Sequence, residues 1–134
     1  MDINSDFTDL VTKRLTRRGN PHKVTVSGFD QFDSAETYDL IFFYECLHHS
    51  VKMCETVGHM TKFLKPGGKM IFAGEPITSS WFPDWGLRLD PLSVCYIRKF
   101  GWFETGWSKS CLKRTFERAG LKLKTTKESD WITG

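Results

Sequence analysis

Apolar and polar positions along residues 38–76, YDLIFFYECLHHSVKMCETVGHMTKFLKPGGKMIFAGEP, fall into blocks that predict a βαβ unit. Leu40-Ile41-Phe42-Phe43-Tyr44 is an apolar run with no in/out alternation, the pattern of a strand covered by helices on both faces of a parallel sheet. Ser50 can cap the helix that follows, in which Cys54, Val57, Thr61 and Leu64 recur at helical spacing. Pro66-Gly67-Gly68 ends that helix. Lys69–Ala73 then returns as a second buried strand, parallel to the first because a helix has crossed the sheet between them.

The same reading extends outward. Asn4 or Ser5 can cap a helix with Asp6 and Asp9 in its first turn, Lys13, Arg14, Arg17 and Arg18 in its last, and an apolar face of Phe7, Leu10, Val11 and Leu15. Gly19-Asn20-Pro21 stops it, and Val24–Val26 follows as a short strand. Near the other end, Ser108 or Ser110 caps a helix whose Leu112, Phe116 and Ala119 face the sheet, Gly120 closes it, and Leu121–Thr125 alternates as a half-buried strand. Strands alternating with capped helices predict an α/β fold, a Rossmann-like, mainly parallel sheet with flanking helices.

Composition narrows the function. A chain of 134 residues is one domain. Its net charge of +3, gathered in Lys13–Arg18 and Lys109–Lys127, describes solvated helix faces and no nucleic-acid footprint. Cys46, Cys54, Cys95 and Cys111 form no CxxC pair, so reduced thiols are expected; with no apolar leader and no membrane-length apolar run, the expected location is cytoplasmic, without a membrane partner.

Candidate chemistry sits at the strand ends, where parallel sheets bind ligands. The first strand delivers Glu45-Cys46-Leu47-His48-His49-Ser50 and the second Gly74-Glu75-Pro76. A carboxylate straight after five apolar residues is expensive to bury without a partner, which marks Glu45 as a pocket group. His48 and His49 can supply a general base or orient an acceptor hydroxyl, or serve structurally at the helix start. No third ligand has sensible spacing to them, so no metal is expected. From Thr78 to Trp107 the chain carries eight aromatics, Trp81, Phe82, Trp85, Tyr96, Phe100, Trp102, Phe103 and Trp107, with Arg88, Asp90 and Glu104 as polar groups among them. These aromatics build either a lid or a satellite core beneath a long loop.

YDLIFFYECLHH followed by LKPGGKMIFAGEP resembles the fourth- and fifth-strand motifs of class I S-adenosylmethionine-dependent methyltransferases, and WGLRLDPLSVCYIRKFGWFETGW is similar to a stretch in a subgroup often met among bacterial glycan-biosynthesis proteins. The resemblance implies S-adenosylmethionine as cofactor and methyl transfer to a small-molecule or glycan-related acceptor. Asp2 then matches the acidic residue for the ribose hydroxyls, or else belongs to a frayed terminus. Phe29 and Asp30 match the adenine-contacting residues, although Asp30 can equally initiate a turn. Tyr44 and Glu45 close the cofactor edge, Glu45, His48 and His49 take the catalytic positions, and Glu75, Trp81, Trp85 and Arg88 lie on the acceptor side.

The family's Gly-rich strand-to-helix loop, of the GxGxG type, is not in the sequence. The resemblance therefore implies a truncated class I fold, residues 1–134 forming part of a methyltransferase domain that binds cofactor poorly by itself. The alternative is a non-catalytic α/β scaffold or partner module, and a nicotinamide-binding fragment is a distant third. Glu45, His48, His49 and Glu75 are expected to converge at one sheet edge with Asp2 and Asp30, because parallel strands deliver their carboxyl ends to the same side.

Overall fold

The computed structural model describes residues 1–78 and 83–124, in two compact units, Met1–Thr37 and Tyr38–Gly134. In the first, helix α1 (Ser5–Arg17) begins where the Asn4 side chain accepts the backbone N–H of Asp6 at 2.8 Å and of Phe7 at 3.4 Å. Asp6 lies in its first turn and Arg14 and Arg17 in its last, which suits the helix dipole. The apolar face expected of Phe7, Leu10 and Val11 is exposed, and the inward stripe is Thr8, Thr12 and Leu15. Threonine can turn inward because the Thr8 and Thr12 hydroxyls donate to the carbonyls of Ser5 and Thr8, both at 2.8 Å, and need no partner from elsewhere. The strand expected over Val24–Val26 is reduced to one parallel bridge, Asp2 with Val26. The Asp2 N–H donates to the Thr25 carbonyl at 3.2 Å and the Ser27 N–H to the Asp2 carbonyl at 2.9 Å. One paired residue on the partner side makes a bridge and not a ladder.

In the second unit β1 (Tyr38–Tyr44) pairs in parallel with β2 (Leu64–Ala73), running in register from Leu40 opposite Lys69 to Tyr44 opposite Ala73. Helix α2 (Met53–Met60) makes the crossover and buries Met53, Thr56, Val57 and Met60. Its expected face of Cys54, Val57, Thr61 and Leu64 is therefore rotated, with Cys54 exposed. Lys52 occupies its cap position without a side-chain bond to the helix N–H groups, while Ser50 is buried and pairs with the Thr56 hydroxyl at 2.7 Å.

Pro66-Gly67-Gly68 lies inside β2 and does not separate helix from strand. Between the pairs Tyr38–Leu64 and Leu40–Lys69, β2 advances five residues while β1 advances two, so the turn forms a bulge. Gly67 takes φ 77°, and a Cβ on Gly68 would stand 2.9 Å from the Lys65 carbonyl oxygen and 3.1 Å from that of Tyr38. Backbone atoms cannot yield as a flexible side chain does. Gly68→Ala is expected to destabilise the protein by about 1–3 kcal/mol, seen as a lower denaturant midpoint; an unchanged midpoint would mean that the bulge opens freely.

Burial alternates along β1, contrary to the two-sided cover that its apolar run predicts. Ile41 and Phe43 are buried, whereas Leu40, Phe42 and Tyr44 are 52%, 56% and 61% exposed. Cover comes from one side. Helix α4 (Lys109–Arg118) lays Phe116 on Phe72, ring centroids 4.6 Å apart, and Phe72 stacks on Phe43 at 5.0 Å. Helix α2 packs beside α4, with the Cys54 thiol 3.3 Å from the Thr115 hydroxyl. Ser108 is the α4 cap, accepting the Cys111 N–H at 3.1 Å, and Leu112 and Phe116 are buried as the sequence suggests.

The aromatic segment carries structure of its own. A short antiparallel pair, β3 (Trp85–Leu87) with β4 (Thr105–Trp107), brackets helix α3 (Pro91–Phe100), which Asp90 caps and Gly101 ends at φ 69°. Trp107 is wholly buried, while Tyr96, Phe100 and Trp102 form a ring cluster. The strand expected over Leu121–Thr125 is absent through Lys124, where no strand partner occurs among the described residues; Thr125 lies outside them, as does Trp81.

Candidate active site

At the carboxyl end of β1 the chain turns sharply at Glu45, whose φ of 47° is in the left-handed region that non-glycine residues seldom occupy. At the end of β2 Gly74 turns the same way at φ 72°, and a Cβ there would collide with the Glu45 Cγ. The two strand tips thus meet. After Glu45 a single 3-10 turn, Leu47–His49, leaves consecutive N–H groups without helical partners, and they point at one carboxylate. The N–H groups of Cys46 and Leu47 donate to Glu75 Oε1 at 3.0 and 2.9 Å, and that of His48 donates to Oε2 at 3.0 Å. His48 Nδ1 completes the set at 2.9 Å from Oε2.

Burial raises the Glu75 pKa, but the His48 contact and the Leu47 and Cys46 amides outweigh it and hold the carboxyl below its ordinary value. An ionised Glu75 can only accept. Its partner Nδ1 must then carry the ring proton, which leaves the lone pair of neutral His48 on Nε2. Both side chains are almost wholly buried, at 10% and 6% exposure, so the ring is fixed in tautomer and in orientation. The Thr105 hydroxyl adds a bond to the His48 carbonyl at 2.7 Å.

His49 is more open and stacks edge-on against Trp102, while its Nδ1 donates to the Phe103 carbonyl at 3.0 Å. Glu104, 3% exposed, lies beside both imidazoles, with Oε2 3.7 Å from His48 Nε2 and Oε1 3.7 Å from His49 Nδ1. Arg88 approaches Glu104 at 3.8 Å and binds Asp90 at 3.1 Å, so its guanidinium is turned toward protein carboxylates.

The structure therefore brings Glu45, His48, His49 and Glu75 to the paired tips of β1 and β2, with Arg88 reaching the same cluster through Glu104. The Glu75 carboxylate, expected on the acceptor side, is occupied by the β1 tip. Glu45 is exposed, so it escapes the burial cost that singled it out. Tyr44 is on the open face of β1, 6.2 Å from the Phe42 ring. Trp85 lies in β3 and lines a shallow depression of ≈ 230 Å³ with Val51, Met53, Cys54 and Cys111; a second depression, ≈ 500 Å³, lies along α3. Neither is lined by the histidines. In the first unit Asp2 is exposed and accepts the Asn4 N–H at 2.8 Å; Phe29 is half-buried and Asp30 exposed in the turn after Val26.

Phe103 contributes only a carbonyl and Thr105 only a hydroxyl to a carbonyl, contacts that no residue pattern displays. Glu104 was visible as a carboxylate in an aromatic stretch, but its place beside the histidines depends on the β3–β4 pairing.

Residues 2–126 match the family model described as "Methyltransferase domain". The highly reducing polyketide synthase ACRTS2 of Alternaria alternata is 30% identical over 102 residues, covering 66% of this chain and 4% of its own length. Among solved structures, a Bacillus halodurans protein assigned as a methyltransferase superimposes with a TM-score of 0.65 at 19% identity, over 92% of this chain and 52% of that one. The N-methyltransferase NodS of Bradyrhizobium japonicum, in complex with S-adenosyl-l-homocysteine, gives a TM-score of 0.55 at 22% identity, over 87% and 50%. This chain thus spans a small part of the synthase and about half of each solved neighbour.

Proposed function

This chain belongs to the methyltransferase-domain family, and from that premise we propose that it transfers a methyl group from S-adenosylmethionine to a small-molecule acceptor whose reacting atom must lose a proton. The observation that carries the reading is the His48–Glu75 pair: a buried imidazole with Nδ1 pinned by an ionised carboxylate and Nε2 left as the basic nitrogen. His48 takes the acceptor's proton as the methyl group passes to the acceptor, and Glu75 balances the imidazolium that results. S-adenosylmethionine supplies an electrophilic methyl on its sulfonium. Because direct transfer needs no protein nucleophile, holding the two reactants in line is the larger part of the task.

The side chains suit that cofactor. Asp2 is exposed, and only Oδ1 of its carboxylate is engaged among the described residues, so it can accept from paired ribose hydroxyls. Phe29 and Asp30 offer a ring face and an acceptor of the kind adenine requires. Glu45, exposed at the β1 tip, and His49, partly exposed beside Trp102, orient the acceptor. With a polyketide synthase among the relatives, the acceptor favoured over a glycan is an acyl chain whose carbon between two carbonyls is acidic enough for an imidazole base.

The test is transfer of isotopically labelled methyl to β-ketoacyl thioesters and to glycans by the full chain, with calorimetry of S-adenosylmethionine binding alongside. Binding by this chain is expected to be weak, label is nonetheless expected on the thioesters, and Asp2→Ala is expected to lower the affinity a further ten-fold or so, since a charged hydrogen bond is worth ~1.5–3 kcal/mol. Binding without transfer to any acceptor would favour the scaffold alternative.

A further inference from the structure

We infer that His48, His49 and Glu104 form a binding site for a divalent transition-metal ion of the zinc class. Each residue offers one ligand atom, and the three atoms lie within 4.8 Å of one another. Two imidazoles and a carboxylate are donors that such ions favour, with a fourth position left for water or a ligand oxygen. Around a tetrahedral ion, ligand atoms stand roughly 3.3–3.5 Å apart; His48 Nε2 and Glu104 Oε2 are 3.7 Å apart, so a small side-chain shift closes that pair, and Nε2 is the ring nitrogen of His49 left to bind once Nδ1 meets Phe103.

The surroundings independently favour a ligand. Metal-binding histidines characteristically donate the other ring N–H to a carboxylate or a backbone carbonyl. His48 does so to Glu75 at 2.9 Å, leaving Nε2 as its donor atom toward Glu104, and His49 meets the Phe103 carbonyl at 3.0 Å. The Glu104 carboxylate is buried, and among the described residues its polar side-chain partners are the long approaches to the two rings at 3.7 Å and to Arg88 at 3.8 Å, a costly position that a bound cation would relieve. His49, with 30% of its side chain exposed, gives access from solvent. Sequence spacing hid the third ligand because Glu104 arrives through the β3–β4 pairing.

An ion on His48 Nε2 uses the lone pair that proton abstraction needs. Ion binding stands on geometry alone, whereas the consequence, that the loaded site blocks methyl transfer, rests on His48 being the base.

Cobalt(II) added to the full chain is the probe, read by its visible absorption and displaced by zinc, with folding checked by circular dichroism. Wild type is expected to show bands of a nitrogen- and oxygen-ligated ion. Glu104→Gln and, separately, His49→Ala should each weaken binding ten-fold or more. No visible bands, a thiolate charge-transfer band from the cysteines, or undiminished affinity in both variants would overturn the site. In the labelled-methyl assay, zinc should suppress transfer and a chelator restore it. Full transfer with the site spectroscopically loaded would overturn the blockade and count against His48 as base, while leaving ion binding as measured.

Discussion

Glu75→Gln is expected to cost both stability and turnover, although it changes one atom. The carboxylate accepts four contacts, from the N–H groups of Cys46, Leu47 and His48 and from His48 Nδ1. A glutamine keeps one carbonyl oxygen, which can serve Cys46 and Leu47. Its NH₂ then faces the His48 N–H and Nδ1–H, donor against donor, inside a site with little water. Leaving buried donors unsatisfied costs about 1–3 kcal/mol each, which bounds the loss of stability. Imidazole can relieve one clash by moving its proton to Nε2, but that converts the basic nitrogen into a donor. Methyl transfer should then fall by roughly 10²–10⁴-fold, the range for loss of a general base. Nitrogen-detected NMR of the His48 ring gives an independent readout: Nδ1-protonated in wild type, Nε2-protonated in the variant. A variant retaining wild-type turnover and tautomer would mean that Glu75 only braces the loop.

The polar wiring explains why some of this was legible and some was not. The βαβ core followed from apolar runs bounded by Glu45 and Gly74, and parallel pairing of Leu40–Tyr44 with Lys69–Ala73 is as the crossover requires. The covering of β1 was not legible, since five consecutive apolar residues look alike whether one face or two are buried; Leu40, Phe42 and Tyr44 are left open. Helix α3 was submerged in the aromatic count, even though Asp90-Pro91 is a capping signature with proline at the start and Gly101 at the end. His48, His49 and Glu75 were marked by chemistry and position. Glu75 was assigned to the acceptor side because backbone N–H groups, its actual partners, are present at nearly every residue and carry no sequence signal.

His48 itself gives the other large effect. Glutamine at that position can still place a polar group near Glu75, and its backbone carbonyl still accepts from Thr105, but it cannot take up a proton near neutral pH, so His48→Gln removes the proposed base while leaving the strand tips in place. Asp2, Phe29 and Asp30 are untouched by the change, and cofactor affinity should stay within about two-fold. The direct measurement is the single-turnover rate of labelled methyl transfer by His48→Gln against wild type at saturating S-adenosylmethionine. A fall of roughly 10²–10⁴-fold at unchanged cofactor affinity is the expected result, and a rate within a few-fold of wild type would contradict the assignment of His48 as the base.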